Sequence, residues 1–279
     1  MQAVAIFGPR AREGDLRPFR EAGAPIDVAK RVGDAEVALI FGGDGTVHRY
    51  LSDAVAAQTK VLVVPVGSGN DFAAALGLKS PADSLRGWKQ FLRDRNNVRS
   101  IDLGRIEPLN GGAVRYFCCI GGTGLDAETN RRANAQPAWM RARGGYVLAA
   151  LRAIAAYSYP EITVSAEEPP LSLEGRATLV AFANAPAYGG GMRMAPNARM
   201  DDGKLDLVYA RHISKPRLFR FFPRVFQGTH IALEEVEYFQ SKCLRVETQP
   251  AMAVYADGEY VCETPVEVRV VPQALTVIV

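Results

Sequence analysis

Long apolar runs are missing from this chain. No stretch of its 279 residues reaches the roughly 18 consecutive apolar positions that a membrane-spanning helix needs. The first eight residues hold one short apolar run, and Arg10, Arg12 and Glu13 follow at once. A secretory leader would put its positive charge first and a longer apolar run behind it, so none is expected. Cysteine is scarce too: Cys118, Cys119, Cys243 and Cys262 form no CxxC pair, and His48, His212 and His230 stand far apart. That argues against a zinc site on the usual spacings and against a disulfide framework, and makes a reduced, cytoplasmic compartment the default. Nor is there a large excess of one charge. A net +3 gives no argument for a nucleic-acid partner, and none is expected, although it leaves room for a local basic face.

What is present has the composition of an ordinary globular protein, 48% apolar and 23% charged, in a length that suits one large domain or two ordinary ones. The first half alternates short apolar runs (Ala3–Phe7, Glu36–Phe41, Val61–Val66) with helix-like segments at Val47–Gln58 and Asp71–Leu78. Runs this apolar suit parallel strands covered on both faces. The second half reads differently. A helix is expected over Trp139–Tyr157 and another over Pro216–Phe226. Around them lie β-type runs at Glu161–Ser165, Thr178–Asn184, Leu205–Tyr209, Leu244–Thr248, Ala253–Tyr255, Val266–Val271 and Leu275–Val279. The composition changes near residues 105–120, where a domain boundary is expected.

Two glycine loops carry the chemistry. Gly42-Gly43-Asp44-Gly45-Thr46 lies between an expected strand and an expected helix, and Gly67-Ser68-Gly69-Asn70-Asp71 repeats that arrangement one strand later. Glycines there let the backbone turn sharply and bring N–H groups against a phosphate, beside the positive end of a helix. A carboxylate in each loop would repel phosphate unless Mg²⁺ lay between them. The plain alternative is a glycine turn with Asp44 as a helix cap. Neither loop has the dinucleotide or Walker pattern.

GGDGT followed by PVGSGNDFA resembles the diacylglycerol kinase catalytic domain family in its bacterial form, related to sphingosine and other lipid kinases. Later segments fit in order: Asp102 in SIDLG, Gly121–Ala127, the stretch Asn184–Asp206 with Gly189-Gly190-Gly191 and Asp202-Gly203-Lys204-Leu205-Asp206, and Asp257-Gly258-Glu259. GGDGT alone is shared with NAD kinases. The chain departs from the pattern where the family has an Asn-Pro-x-Ser/Ala-Gly loop, which here reads Gly8-Pro9-Arg10-Ala11-Arg12. GGDGT comes early, as though one strand–helix unit were trimmed, and Arg49 stands where a glutamate is often found.

The resemblance implies an ATP-dependent lipid kinase that moves the γ-phosphoryl group of ATP to a lipid hydroxyl, with diacylglycerol the expected acceptor. It implies an α/β plus β-rich fold: an N-terminal α/β nucleotide domain with a parallel sheet, residues 1–112, and a C-terminal β-sandwich-like lipid-substrate domain, residues 113–279, whose last strand is free to return to the first. ATP would lie on Gly42, Gly43, Asp44, Gly45 and Thr46 and on Gly67, Ser68, Gly69, Asn70 and Asp71. Asp44, Asp71 and Asp102 would organise the catalytic Mg²⁺, directly or through water, and Asp202 would hold a structural Mg²⁺. Asp257 would be the catalytic base with Glu259 as its acidic partner. Read locally, Asp257-Gly258 between apolar runs is also an ordinary hairpin turn.

Arg131, Arg132, Arg141 and Arg143 around Trp139 and Met140, and Arg217, Arg220 and Arg224 among Phe219, Phe221, Phe222 and Phe226, suit an anionic membrane surface. They equally suit helices with phenylalanines inside and arginines in solvent. A cytoplasmic protein peripheral at the inner membrane face is expected, with homodimerisation open. Two other functions stay open: another GGDGT kinase such as an NAD kinase, and a catalytically degenerate member that only binds nucleotide or lipid.

Overall fold

The computed structural model describes residues 1–136 and 145–279. They divide into two compact units, Met1–Leu103 with Pro272–Val279, and Gly104–Val271.

The first unit is an α/β layer structure. In chain order it contains β1 (Ala3–Phe7), α1 (Glu13–Glu21), β2 (Ile26–Val28), β3 (Val37–Gly42), α2 (Asp44–Ala56), β4 (Lys60–Pro65), α3 (Asp71–Ala75), α4 (Pro81–Asp94) and the start of β5 (Val98–Pro108). The strands run parallel in the order β2-β1-β3-β4, and Val277 of the C-terminal strand pairs with Val61 beside β4. Every residue of β3 is buried, as a strand covered on both faces requires. The apolar runs thus announced β1, β3 and β4. They missed α1, β2 and α4, because α1 is polar along most of its length and buries only Leu16 and Phe19. α4 is set by Ser80, whose hydroxyl accepts the Asp83 N–H at 3.3 Å as an N-cap, and by Trp88 and Phe91 on its buried face.

The second unit contains β6 (Arg115–Phe117), β7 (Ile120–Gly124), α5 (Leu125–Asn134), α6 (Tyr146–Ala156), β8 (Glu161–Ala166), β9 (Leu171–Ala183), β10 (Leu205–Arg211) and α7 (Lys215–Gln227). There follow β11 (Val236–Ser241), β12 (Cys243–Gln249), β13 (Ala253–Ala256), β14 (Glu259–Glu263) and β15 (Val266–Ile278). Its strands are antiparallel. β9 is the hinge of the arrangement: its first half pairs with β8, and its second half pairs with β10 on one side and β7 on the other. The side chains that meet in the core alternate along each strand, Ile162 and Val164 on β8, Val180 and Phe182 on β9, Leu205, Leu207 and Tyr209 on β10, Leu244 and Val246 on β12, Val266 and Val268 on β15. That period of two from several strands is what a β-sandwich core requires.

Val266–Ile278 is one strand, not the two runs expected at Val266–Val271 and Leu275–Val279. The intervening Pro272 and Gln273 read as a break, but a long strand absorbs them. The helix expected from Trp139 begins, among the described residues, at Tyr146, and Trp139, Met140, Arg141 and Arg143 lie outside those residues. Cys118 and Cys119 are buried, whereas Cys243 and Cys262 are only half-buried.

Candidate active site

In the first unit three loops leave the carboxyl ends of adjacent parallel strands, the place where open α/β sheets bind ligands. They are packed backbone against backbone. Gly8 N donates to Phe41 O at 2.8 Å, and Asp44 N donates to Gly69 O at 3.1 Å. A Cβ added to Gly43 would come closer to the Gly69 carbonyl than any real Cβ does, and one on Gly67 would collide with the Gly43 backbone. These two glycines are therefore needed first for the loops to touch each other.

Asp44 opens α2 yet serves the next helix. Its carboxylate accepts the N–H of Asp71 and of Phe72, both at 3.0 Å, at the start of α3. The cap reading was right in kind, but the helix capped lies 27 residues away. Asn70 folds onto its own loop, accepting from Gly67 N (3.2 Å) and donating to Gly67 O (3.1 Å), while Ser68 and Gly69 are exposed. Thr46 packs its side chain against Gly8 and Gly42.

Asp102 lies on β5. It is buried, and its Oδ1 accepts the Gln273 N–H at 2.8 Å. Among the described residues no group of three or more His, Cys, Asp or Glu stands placed to hold a metal ion directly. Mg²⁺ is commonly held by one or two carboxylates together with water and substrate phosphates, so a three-carboxylate set is not required for it. In this structure it is the Asp71 backbone N–H that lies against the Asp44 carboxylate, at 3.0 Å from Oδ2.

In the second unit Asp257 and Gly258 form the turn between β13 and β14, both with positive φ (49° and 83°), as a tight hairpin of right-handed twist demands. The Asp257 carboxylate reaches back to the start of β7. Oδ2 accepts Cys118 N at 2.7 Å, and Oδ1 accepts Cys119 N at 2.8 Å and Ile120 N at 3.3 Å. At least three of its about four acceptor directions are thus used by backbone. Glu259 is exposed at the start of β14. Asn134 of α5 donates to Gly258 O at 2.7 Å and ties the turn to that helix.

Sequence reasoning missed a buried polar set at the start of α5. Asp126, on the first turn of α5, accepts from the Tyr188 hydroxyl and from Asn130 Nδ2 (3.3 Å). The signal was present in Gly121–Ala127, where an aspartate follows four small residues and a leucine, but the partner Tyr188 is 62 residues away.

Asp202 lies in the turn before β10, where Oδ1 accepts the Lys204 N–H at 3.1 Å and Oδ2 stands 3.4 Å from Gln240 Nε2. Asp206 is fully buried nearby, accepting from Tyr238 Oη (2.5 Å) and Gln240. Burial raises its carboxyl above the usual range, with Asp202 adding to the effect and the Tyr238 and Gln240 hydrogen bonds opposing it.

Residues 2–106 match the family profile described as the diacylglycerol kinase catalytic domain. Residues 120–279 match the one described as the YegS C-terminal NAD kinase beta sandwich-like domain. The diacylglycerol kinase of Mycobacterium tuberculosis is 35% identical over 252 residues, covering 87% of this chain and 76% of that protein. The chain belongs to the diacylglycerol kinase family. It is a lipid kinase, and the NAD-kinase alternative gives way to that membership. The diacylglycerol kinase of Bacillus subtilis is 27% identical over 93% of this chain and 83% of its own length. A crystal structure of a diacylglycerol kinase from Bacillus anthracis shares the fold with a TM-score of 0.75 at 21% identity, over 99% of this chain and 96% of that one. Among the described residues of this lipid kinase no helix is long and apolar enough to cross a membrane.

Proposed function

We propose that this lipid kinase transfers the γ-phosphoryl group of ATP to the hydroxyl of diacylglycerol. The observation that carries the acceptor is the 35% identity, over 252 residues, to a protein named diacylglycerol kinase. The nucleotide reading is supported by the Asp44 and Asp71 loops at adjacent strand ends.

Phosphoryl transfer asks a protein mainly for positioning and charge neutralisation. Mg²⁺, when bound, supplies the charge that lets carboxylates and phosphates share one place. The chain's own contribution is to hold the Asp44 carboxylate rigidly on two N–H groups and to keep Asp71 beside it. Gly45, Ser68 and Gly69 present backbone to the phosphates, and Asn70 fixes the loop that does so. Asp257 is the proposed base that takes the proton of the lipid hydroxyl. Its three N–H donors fix the carboxylate in one orientation, and exposed Glu259 stands two residues away. Asp202 is the proposed ligand of a structural Mg²⁺, where a cation would offset the repulsion between Asp202 and buried Asp206.

The substrate would be met at an anionic membrane surface, with the protein cytoplasmic and peripheral. α7 supports this. It has Lys215, Arg217, Arg220 and Arg224, no acidic residue and no buried residue; Phe219 is 42% exposed, and the Phe221 ring lies 5.2, 5.9 and 4.9 Å from three guanidinium groups. Such a helix suits the interface of an anionic bilayer.

The test is incubation with Mg-ATP and a lipid panel, read by mass spectrometry. Phosphatidic acid formed from diacylglycerol is the expected product. A different phosphorylated lipid would move the acceptor, and nucleotide binding without any product would favour the degenerate reading.

A further inference from the structure

Asn184 follows the last residue of β9, Ala183, which pairs with Ile120 of β7, and it is fully buried. A buried amide is retained where its hydrogen bonds are made, because a dry polar group without them is costly. Here the side chain reaches the connection between β6 and β7: Nδ2 donates to Cys118 O at 2.9 Å. The backbone continues the grip, with Asn184 N donating to Cys119 O at 2.8 Å and Ala185 N to the same oxygen at 3.1 Å.

The opposite ends of the same two peptide units hold Asp257. The Cys118–Cys119 peptide has its carbonyl on Asn184 Nδ2 and its N–H on Asp257 Oδ1, at 2.8 Å. The Cys119–Ile120 peptide has its carbonyl on Asn184 N and its N–H on the same Oδ1, at 3.3 Å. With Cys118 N at 2.7 Å from Oδ2, three successive N–H groups face one carboxylate. An extended strand does not do this, because its successive N–H groups point to alternate sides. The departure from strand geometry has to be held. The peptide unit is planar, so a bond at its carbonyl end sets the direction of its N–H end. That bond also polarises the N–H, since hydrogen bonds in a chain strengthen one another.

We infer that Asn184 is a positioning residue for Asp257: its amide fixes the tilt of the Cys118–Cys119 peptide, and that peptide fixes where the carboxylate points. This rests on the reading of Asp257 as the base and carries it one bond further into the fold. A base must meet its proton within hydrogen-bond reach, and a misplacement of about 1 Å can cost on the order of 10²-fold in rate.

The test is steady-state phosphorylation of diacylglycerol by Mg-ATP, with chemistry limiting the rate. The full chain is compared as parent, Asn184→Leu, Asn184→Ser, Asp257→Asn and the two pairwise combinations with Asp257→Asn. Leucine has nearly the shape of asparagine and no donor; serine, smaller and still polar, carries the test should leucine not fold in the buried site. Thermal melts set a temperature at which the assayed variants are folded. In the parent background each Asn184 variant is expected to lower kcat on the order of tenfold, with KM for ATP and lipid within about twofold. In the Asp257→Asn background, where no base is left to orient, the same substitution should cost less than about twofold. A general loosening of the β-sandwich would instead raise KM for the lipid and cost the same in both backgrounds. Either of those results, or a folded Asn184→Leu at the parental rate, would overturn the inference while leaving Asp257 as the base. Asp257→Asn at near the parental rate would overturn the base reading itself, and this inference with it.

Discussion

Replacing Asp257 by asparagine separates two roles that its geometry combines. The substitution keeps the size of the side chain, and asparagine tolerates the positive φ of 49° at this turn. It cannot keep the hydrogen bonds. If Nδ2 takes the place of Oδ2, an NH₂ group faces the Cys118 N–H, now 2.7 Å from the oxygen; if the amide is turned over, it faces Cys119 and Ile120 instead. Either way at least one buried N–H loses its acceptor, at about 1–3 kcal/mol, and the bonds that remain lose their charge. We expect Asp257→Asn to lower unfolding stability by about 2–4 kcal/mol from these terms together. Urea denaturation measures this directly, as a lower midpoint with an unchanged slope. If Asp257 is also the base, lipid phosphorylation under conditions where chemistry limits the rate should fall about 10²–10⁴-fold, assayed well below the unfolding midpoint. A variant destabilised as stated but turning over lipid near the parental rate would leave Asp257 as the anchor of the β13–β14 turn alone. A variant within about 0.5 kcal/mol of the parent would refute the anchoring argument, since three lost or weakened charged bonds cannot cost so little.

Gly43→Ala should destabilise the first unit by about 1–3 kcal/mol, because its Cβ has no room against the Gly69 carbonyl, while Gly69→Ala, which meets only Asp44 Oδ2 at 3.0 Å, should cost less; equal thermal melts for the two would refute the loop-packing argument. Asp202→Ala should lose about 0.5–1.5 kcal/mol in EDTA through the missing turn bond to Lys204, and a further part only in Mg²⁺-containing buffer; a difference independent of Mg²⁺ would leave the turn reading alone. His230 is buried, and burial lowers its pKa from 6.5, so the folded state resists its protonation while the unfolded state does not. Stability should hold above pH 6.5 and fall below it by at most about 1.4 kcal/mol per pH unit from this group. In His230→Gln, which can still donate to Met194 O, melts between pH 7.5 and 5 should be flatter, and an identical acid slope would remove His230 as the cause. Binding to anionic vesicles should weaken with salt and with Arg220→Gln/Arg224→Gln, and indifference to both would return α7 to a solvated role.

The two glycine loops, the alternating first half and the β-rich second half were legible because each is a local signal. Apolar runs mark β1, β3 and β4 whatever else the chain does, and the ordered motifs from Gly42 to Glu259 point to one family on residue identity alone. Short or polar elements such as β2 and α1 carry too little local pattern to be seen, since their few buried residues gain meaning only from what covers them. The partners of single side chains lie far away in sequence. Asp102 Oδ1 accepts the Gln273 N–H, 171 residues later. Asp257 is held by N–H groups up to 139 residues earlier, and Asp126 by Tyr188, 62 residues on. Gly43 is needed because another loop's carbonyl fills the space where its side chain would be. A sequence specifies which donors, acceptors and missing side chains exist; only folding brings a carboxylate within hydrogen-bond reach of one N–H and not another.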